Sequence, residues 1–245
     1  MKNLIVANWK LNPTTKEEAE NIFKEIILRL RSGQENGAGD KTEVVVCPPF
    51  VYIPLLKGIT LGAENVYSEE KGAFTGEVSP LMLKNLGVEY VIIGHSERRK
   101  FFGETDELIN KKIKKSLEDG LKVIFCIGET EEERNAGRKN EVLERQIKNG
   151  LAGVENLEDV NIAYEPVWAI GTGNNCSVEE TKQSINFIRK LLALSNAEGC
   201  RILYGGSVKS ENSGPYVKDA LANGLLVGGA SLNAEEFVKI IKSIE

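Results

Sequence analysis

Apolar residues along this chain come in two kinds of stretch that take turns. Short runs with little polar interruption alternate with longer segments in which apolar positions recur every three or four residues. Eight of the short runs read as β-strands: Asn3–Trp9, Glu43–Cys47, Ile59–Ala63, Tyr90–Ile93, Lys122–Ile127, Asn161–Tyr164, Arg201–Tyr204 and Leu225–Val227. Several are almost continuously apolar, the pattern of parallel strands buried on both faces. Helical patterns lie between most of them. Ala19, Ile22, Phe23, Ile26, Ile27 and Leu30 share one helix face behind a Thr15…Glu18 capping box. Ile109, Ile113 and Leu117 form a second stripe, on a segment that starts acidic and ends lysine-rich, as the helix dipole favours. Ser79-Pro80 reads as an N-cap followed by proline at the first helical position. Ser177…Glu180 opens another helix, and Asn233…Glu236 precedes the last, which carries Phe237, Ile240, Ile241 and Ile244.

Strand and helix thus alternate eight times, with no Pro/Ser-rich linker and no shift in composition. This implies an α/β protein: a single domain over residues 1–245, folded as one closed, parallel, eight-stranded (β/α)8 barrel. An open doubly wound sheet usually shows a phosphate loop after its first strand, whereas this strand ends in Asn8-Trp9-Lys10. A hydrophobic content of 41% is enough to fill such a core. The net charge of −5 gives no reason to expect nucleic acid or an anionic membrane as partner, so attraction for an anionic substrate has to be local. No apolar run approaches the ~20 residues that span a bilayer. The four apolar residues from Leu4 to Ala7 are too few for a signal-peptide core. Cys47, Cys126, Cys176 and Cys200 are scattered without C-x-x-C spacing, which predicts free thiols in a reducing cytoplasm. With a single histidine, imidazole chemistry has one address, His95, and a His-based metal cluster is not expected.

Barrels of this kind carry their chemistry at the C-terminal ends of the strands. There the first strand offers Asn8 and Lys10, the fourth His95, Ser96 and Glu97, and the sixth Glu165. The seventh and eighth offer the glycine-rich turns Tyr204-Gly205-Gly206-Ser207 and Gly228-Gly229. Taken singly, each has an ordinary structural reading. His95 could be a hydrogen-bonding strand end, Glu165 a surface carboxylate before a proline, Lys10 a solvated charge, and Gly228-Gly229 a relief of crowding. Their convergence on one rim favours a site instead. The segment from Val167 to Gly173 is also too apolar, and too rich in a bulky tryptophan, for a plain solvent loop. Bare N–H groups leading into a short helix are how barrels hold phosphate. Glu97, Arg98 and Arg99 read as a charge network, with Glu97 orienting Lys10.

Seven segments, in order from the first strand to the last, resemble the triosephosphate isomerase family. They are Ala7-Asn8-Trp9-Lys10, Gly72-Ala73-Phe74-Thr75-Gly76-Glu77, Gly94-His95-Ser96-Glu97-Arg98-Arg99, Cys126-Ile127-Gly128-Glu129, Ala163 to Gly173, Tyr204-Gly205-Gly206-Ser207-Val208 and Val227 to Leu232. The resemblance implies the TIM barrel fold and the interconversion of dihydroxyacetone phosphate and glyceraldehyde 3-phosphate, a glycolytic and gluconeogenic step without cofactor or metal. It implies Glu165 as base and neutral His95 as electrophile, roles already established for the family. Lys10 and Asn8 would supply electrostatic stabilisation, and Ser96 and Glu97 the first turn of the helix that keeps His95 neutral. The backbone of Gly171, Ser207, Gly228 and Gly229 would hold the phosphate. The lid would comprise Pro166, Val167, Trp168, Ala169, Ile170, Gly171 and Thr172, running on to about Cys176. The family is usually dimeric, and Phe74-Thr75-Gly76-Glu77 resembles the loop that reaches the neighbouring subunit, so a cytoplasmic homodimer is expected.

Three positions depart from the family pattern. The lid ends in Asn174-Asn175-Cys176, which leads to the expectation of an exposed, oxidisable Cys176. Glu64 stands where glutamine is common, placing an additional acid near the site floor. Leu221-Ala222-Asn223-Gly224 replaces a turn that usually contains aspartate, leaving Arg189 without an assigned partner. Another sugar-phosphate isomerase or aldolase would share the glycine-rich cup but has no need of the lid or of the Asn8/Lys10/His95 set. A silent phosphate-binding scaffold would be expected to have lost one of Lys10, His95 or Glu165, and all three are present.

Overall fold

The computed structural model describes residues 2–34, 42–171, 173–194 and 199–245. Its strands are β1 (Asn3–Asn8), β2 (Thr42–Cys47), β3 (Thr60–Ala63), β4 (Tyr90–Ile93), β5 (Lys122–Ile127), β6 (Val160–Tyr164), β7 (Ile202–Tyr204) and β8 (Gly224–Val227). Each pairs in parallel with the next, and β1 also pairs with β8, so the sheet closes into a barrel. The two-residue period of a strand explains the unbroken apolar runs. Leu4 and Val6 point into the barrel with Val45, Ile92, Ile124 and Leu226, whereas Ile5 and Ala7 belong to the layer between strands and helices. Both faces are buried, and neither tolerates alternation.

Around the barrel run α1 (Lys16–Gln34), α2 (Pro80–Asn85), α3 (Ser96–Phe102), α4 (Asp106–Glu118), α5 (Glu131–Asn135), α6 (Lys139–Gly150), α7 (Val178–Ala193), α8 (Ser213–Lys218) and α9 (Ala234–Ile244). The apolar stripes face inward: Ala19, Phe23, Ile26, Ile109, Ile113, Phe237 and Ile241 are all buried. The caps act where the sequence places them. Side-chain oxygens of Thr15, Ser79, Ser177 and Asn233 accept the amide N–H three residues on, at 2.9–3.3 Å. No full helix follows β2, only a 3₁₀ turn over Phe50–Leu55, and β3 is followed by a long excursion before α2.

Strand edges differ from the sequence reading by one residue at six of the eight strands. At β1 the reason is local: Trp9 still donates to the Cys47 carbonyl, but Lys10 adopts φ 57° and turns the chain off the ladder. At the N-terminal end of the barrel, Arg201 donates to Glu43 at 2.6 Å and Asn161 at 2.7 Å, a polar plug of the kind expected on the stabilising face.

Candidate active site

The other end of the barrel opens into a cavity of about 780 Å³. Asn8, Lys10, His95, Glu165, Gly171, Ser207, Gly228 and Gly229 all line it, so residues up to 221 positions apart in sequence meet at one rim. Each arrives by a local device. Lys10 is held in the left-handed region, unusual for a residue with a side chain, and the Asn8 Oδ1 accepts its N–H at 3.2 Å. The strained turn carries the lysine stem along Gly228, and its ammonium pairs with Glu97. That is the orienting contact read from the sequence.

His95 caps α3, whose first residues are Ser96 and Glu97. Its Nδ1 accepts the Glu97 N–H at 3.2 Å, which leaves Nε2 as the donor, 3.1 Å from Glu165 Oε1. Burial disfavours the imidazolium, while the adjacent Glu165 carboxylate favours it and moves the pKa upward. Protonation at Nδ1 would set one N–H against another, however. The neutral tautomer is therefore the one this helix start accepts. Glu165 follows β6 and is itself buried. Burial would raise its carboxyl, but His95, the Ser96 amide at 3.3 Å and Lys10 outweigh it and hold the pKa below the usual carboxylate range. Gly128 makes this placement possible. A Cβ there would lie 1.7 Å from the Glu165 carbonyl oxygen.

Opposite these groups, Gly228-Gly229 enters a short 3₁₀ turn (Gly229–Leu232), and Gly205–Ser207 leaves β7, two backbone cradles beside the Lys10 stem. A proton acceptor, a neutral N–H donor, a cation and an anion cup thus share one cavity. A family model described as triosephosphate isomerase matches residues 3–244. The chain is 47% identical to "Triosephosphate isomerase" of Aquifex aeolicus, over 99% of this chain and 100% of that protein. It is 48% identical to the protein of the same name from Thermodesulfovibrio yellowstonii, over 98% and 99% respectively. The chain belongs to the triosephosphate isomerase family.

Family segments outside the cavity take other places. Val167–Ala169 forms a 3₁₀ turn after Pro166, and Trp168 donates through Nε1 to Glu129 at 3.0 Å with Arg134 stacked on its ring at 3.9 Å. Burial raises the pKa of Glu129 against the pull of that bond. The Ser207 hydroxyl donates to the Ala169 carbonyl at 2.7 Å. Ile170 lines the cavity, and Thr172 lies outside the described residues. Phe74, Thr75, Gly76 and Glu77 are exposed and do not reach the cavity of their own chain. Among the described residues no group of three or more His, Cys, Asp or Glu side chains is placed to hold a metal ion. No helix among them is long and apolar enough to cross a membrane.

One expectation fails. Cys176 is buried, not exposed, and burial pushes its thiol up to about 11, so it is neither accessible nor nucleophilic. Arg189 finds its partners within the divergent turn, donating to the Leu221 carbonyl at 2.5 Å and to Asn223 Oδ1 at 3.2 Å. Burial pushes Glu64 up to about 8 against the pull of Lys10, with Glu97 adding to the rise. Leu226 and the Lys209–Asn212 segment line the cavity without having been assigned to it in the sequence, and Glu129, outside the cavity, ties down Trp168.

Proposed function

We propose that this chain interconverts dihydroxyacetone phosphate and D-glyceraldehyde 3-phosphate through an enediol, with Glu165 as the shuttling base. The observation that carries the reading is the contact of Glu165 with His95 Nε2, beside Lys10 and opposite the backbone cup. Glu165 takes a proton from one substrate carbon, and the electron pair moves onto the adjacent carbonyl oxygen. His95 Nε2–H and the Lys10 ammonium stabilise that oxygen, which gains a proton as the neighbouring hydroxyl gives one up. The carbonyl re-forms at that second oxygen, and the carbon that bore the first one takes the proton back from Glu165. A neutral imidazole is matched to this task, because an imidazolium would be too strong an acid and would trap the intermediate. Asn8 holds the Lys10 turn, while Ser96 and Glu97 set Glu165 and Lys10. N–H groups of Gly171, Ser207, Gly228 and Gly229 grip the phosphate at a helix-start type of site. The lid from Pro166 to Cys176 closes over the intermediate and keeps water from it.

The whole chain acts as one barrel domain without cofactor, as a cytoplasmic homodimer. Support for the dimer comes from apolar side chains left bare near the rim: Leu11 is 92% exposed and Phe102 68%. A test of the chemistry is isomerisation of glyceraldehyde 3-phosphate with excess chelator present. Turnover is expected to persist with chelator and to fall about 10²–10⁴-fold or more in Glu165→Ala. No wild-type turnover, or an unchanged variant, would overturn the reading.

A further inference from the structure

Tyr216 lies on α8, away from the cavity, yet it is almost fully buried and touches two of the segments that form the cavity rim. Its hydroxyl donates to the main-chain carbonyl of Cys176 at 2.7 Å. Its ring stacks on Tyr204, with centroids 3.9 Å apart and planes 21° from parallel. Tyr204 in turn limits the turn that follows it: a Cβ on Gly206 would meet the Tyr204 hydroxyl at 2.1 Å. The Tyr204 hydroxyl is itself buried, against the Tyr216 hydroxyl and the Cys176 backbone.

One side chain therefore braces two rim segments that are far apart in sequence. Cys176 is the last residue of the lid, immediately before the Ser177 cap of α7. A lid pivots usefully only if its far end stays fixed while its middle moves. Burial removes Cys176 from solvent, and a buried carbonyl needs a partner, so losing the Tyr216 hydroxyl would release the fixed end. We propose that Tyr216 is a positioning residue for phosphate capture: its hydroxyl anchors the C-terminal end of the lid at Cys176. Its ring fixes Tyr204 and, through it, the Gly205–Ser207 turn. The proposal rests on the lid reading given above.

The test is Tyr216→Phe, which keeps the stack and removes only the hydroxyl. Thiol labelling resolved cysteine by cysteine by mass spectrometry reads the anchor without any assay of activity. Labelling at Cys176 is expected to quicken at least about tenfold, with Cys47, Cys126 and Cys200 unchanged. Binding of 2-phosphoglycolate, a carboxylate phosphate shaped like the enediolate, should weaken by about tenfold, with kcat/KM falling in parallel. Ser116→Ala, which deletes another buried hydroxyl-to-carbonyl bond (2.8 Å, to Lys112) far from the rim, should change neither. An unchanged Cys176 rate, four thiols quickening together, or 2-phosphoglycolate binding within about twofold of wild type would overturn the proposal. An inactive wild-type protein would instead remove the isomerase reading, with the labelling result still deciding whether Tyr216 anchors Cys176.

Discussion

Glu165 combines two demands that usually conflict: it is buried, yet it must carry charge. His95, the Ser96 amide and Lys10 resolve the conflict by favouring the carboxylate, and they hold its pKa below the ordinary carboxylate value. The sign follows directly. A lowered folded-state value means that the base form, and the stability it brings, are present above the unfolded pKa and lost as pH falls through the folded one. The acid limb of kcat/KM, corrected for the substrate phosphate's own ionisation at about pH 6, is therefore expected below the ordinary carboxylate range. Replacing Lys10 by Met should move that limb upward, since Lys10 is one of the groups holding Glu165 down. A corrected limb that stays above the ordinary carboxylate range in the wild type would contradict the arrangement.

At the scale of elements, the lid is governed by contacts outside the cavity. Trp168 is tied to Glu129, which also faces the Tyr164 hydroxyl at 3.3 Å, and Arg134 lies over the indole while paired with Glu180. The tie from Trp168 is charge-assisted, a class of bond about twice as strong as its neutral counterpart. Glu129→Gln keeps an acceptor and removes the charge, so it favours conformations in which Trp168 has left this position. The expected result is 2-phosphoglycolate binding tightened by about threefold or more and a lower kcat, as release slows; about 0.7 kcal/mol of differential stabilisation is enough. Weaker binding with unchanged kcat would show that the tie does not oppose closure.

For the molecule as a whole, the excursion between β3 and α2 is the part a lone barrel does not use. Phe74 packs on Tyr67, with ring centroids 4.7 Å apart, and Thr75, Gly76 and Glu77 are exposed. Together with bare Leu11 and Phe102, this gives a second subunit something to bury. Sedimentation should show a dimer, and Phe102→Glu should shift it toward monomer while lowering turnover at least about tenfold. A fully active wild-type monomer would refute the dimer.

The barrel was legible along the chain because its signals are local. Strands buried on both faces must be apolar throughout, and Thr15, Ser79, Ser177 and Asn233 cap helices by reaching only three residues ahead. Asn8, Lys10, His95 and Glu165 could be found in the same way, since each stands at or just beyond the end of a strand and the fold sends every strand end to one rim. Contacts that join distant segments were not legible. Cys176 looked like an exposed thiol at the end of a polar hinge, yet it joins the core, and its carbonyl accepts from the Tyr216 hydroxyl 40 residues on. Glu129 carries no local mark of its tie to Trp168, nor Leu221 and Asn223 of their bonds to Arg189. The sequence by itself determined the elements, their order and the chemistry gathered at the strand ends, through periodicity, caps and side-chain type. Tertiary structure alone decided which charges are silenced, which hydroxyls anchor the lid and how Glu165 stays ionised, because burial and partner distance depend on chain segments that meet only when the barrel closes.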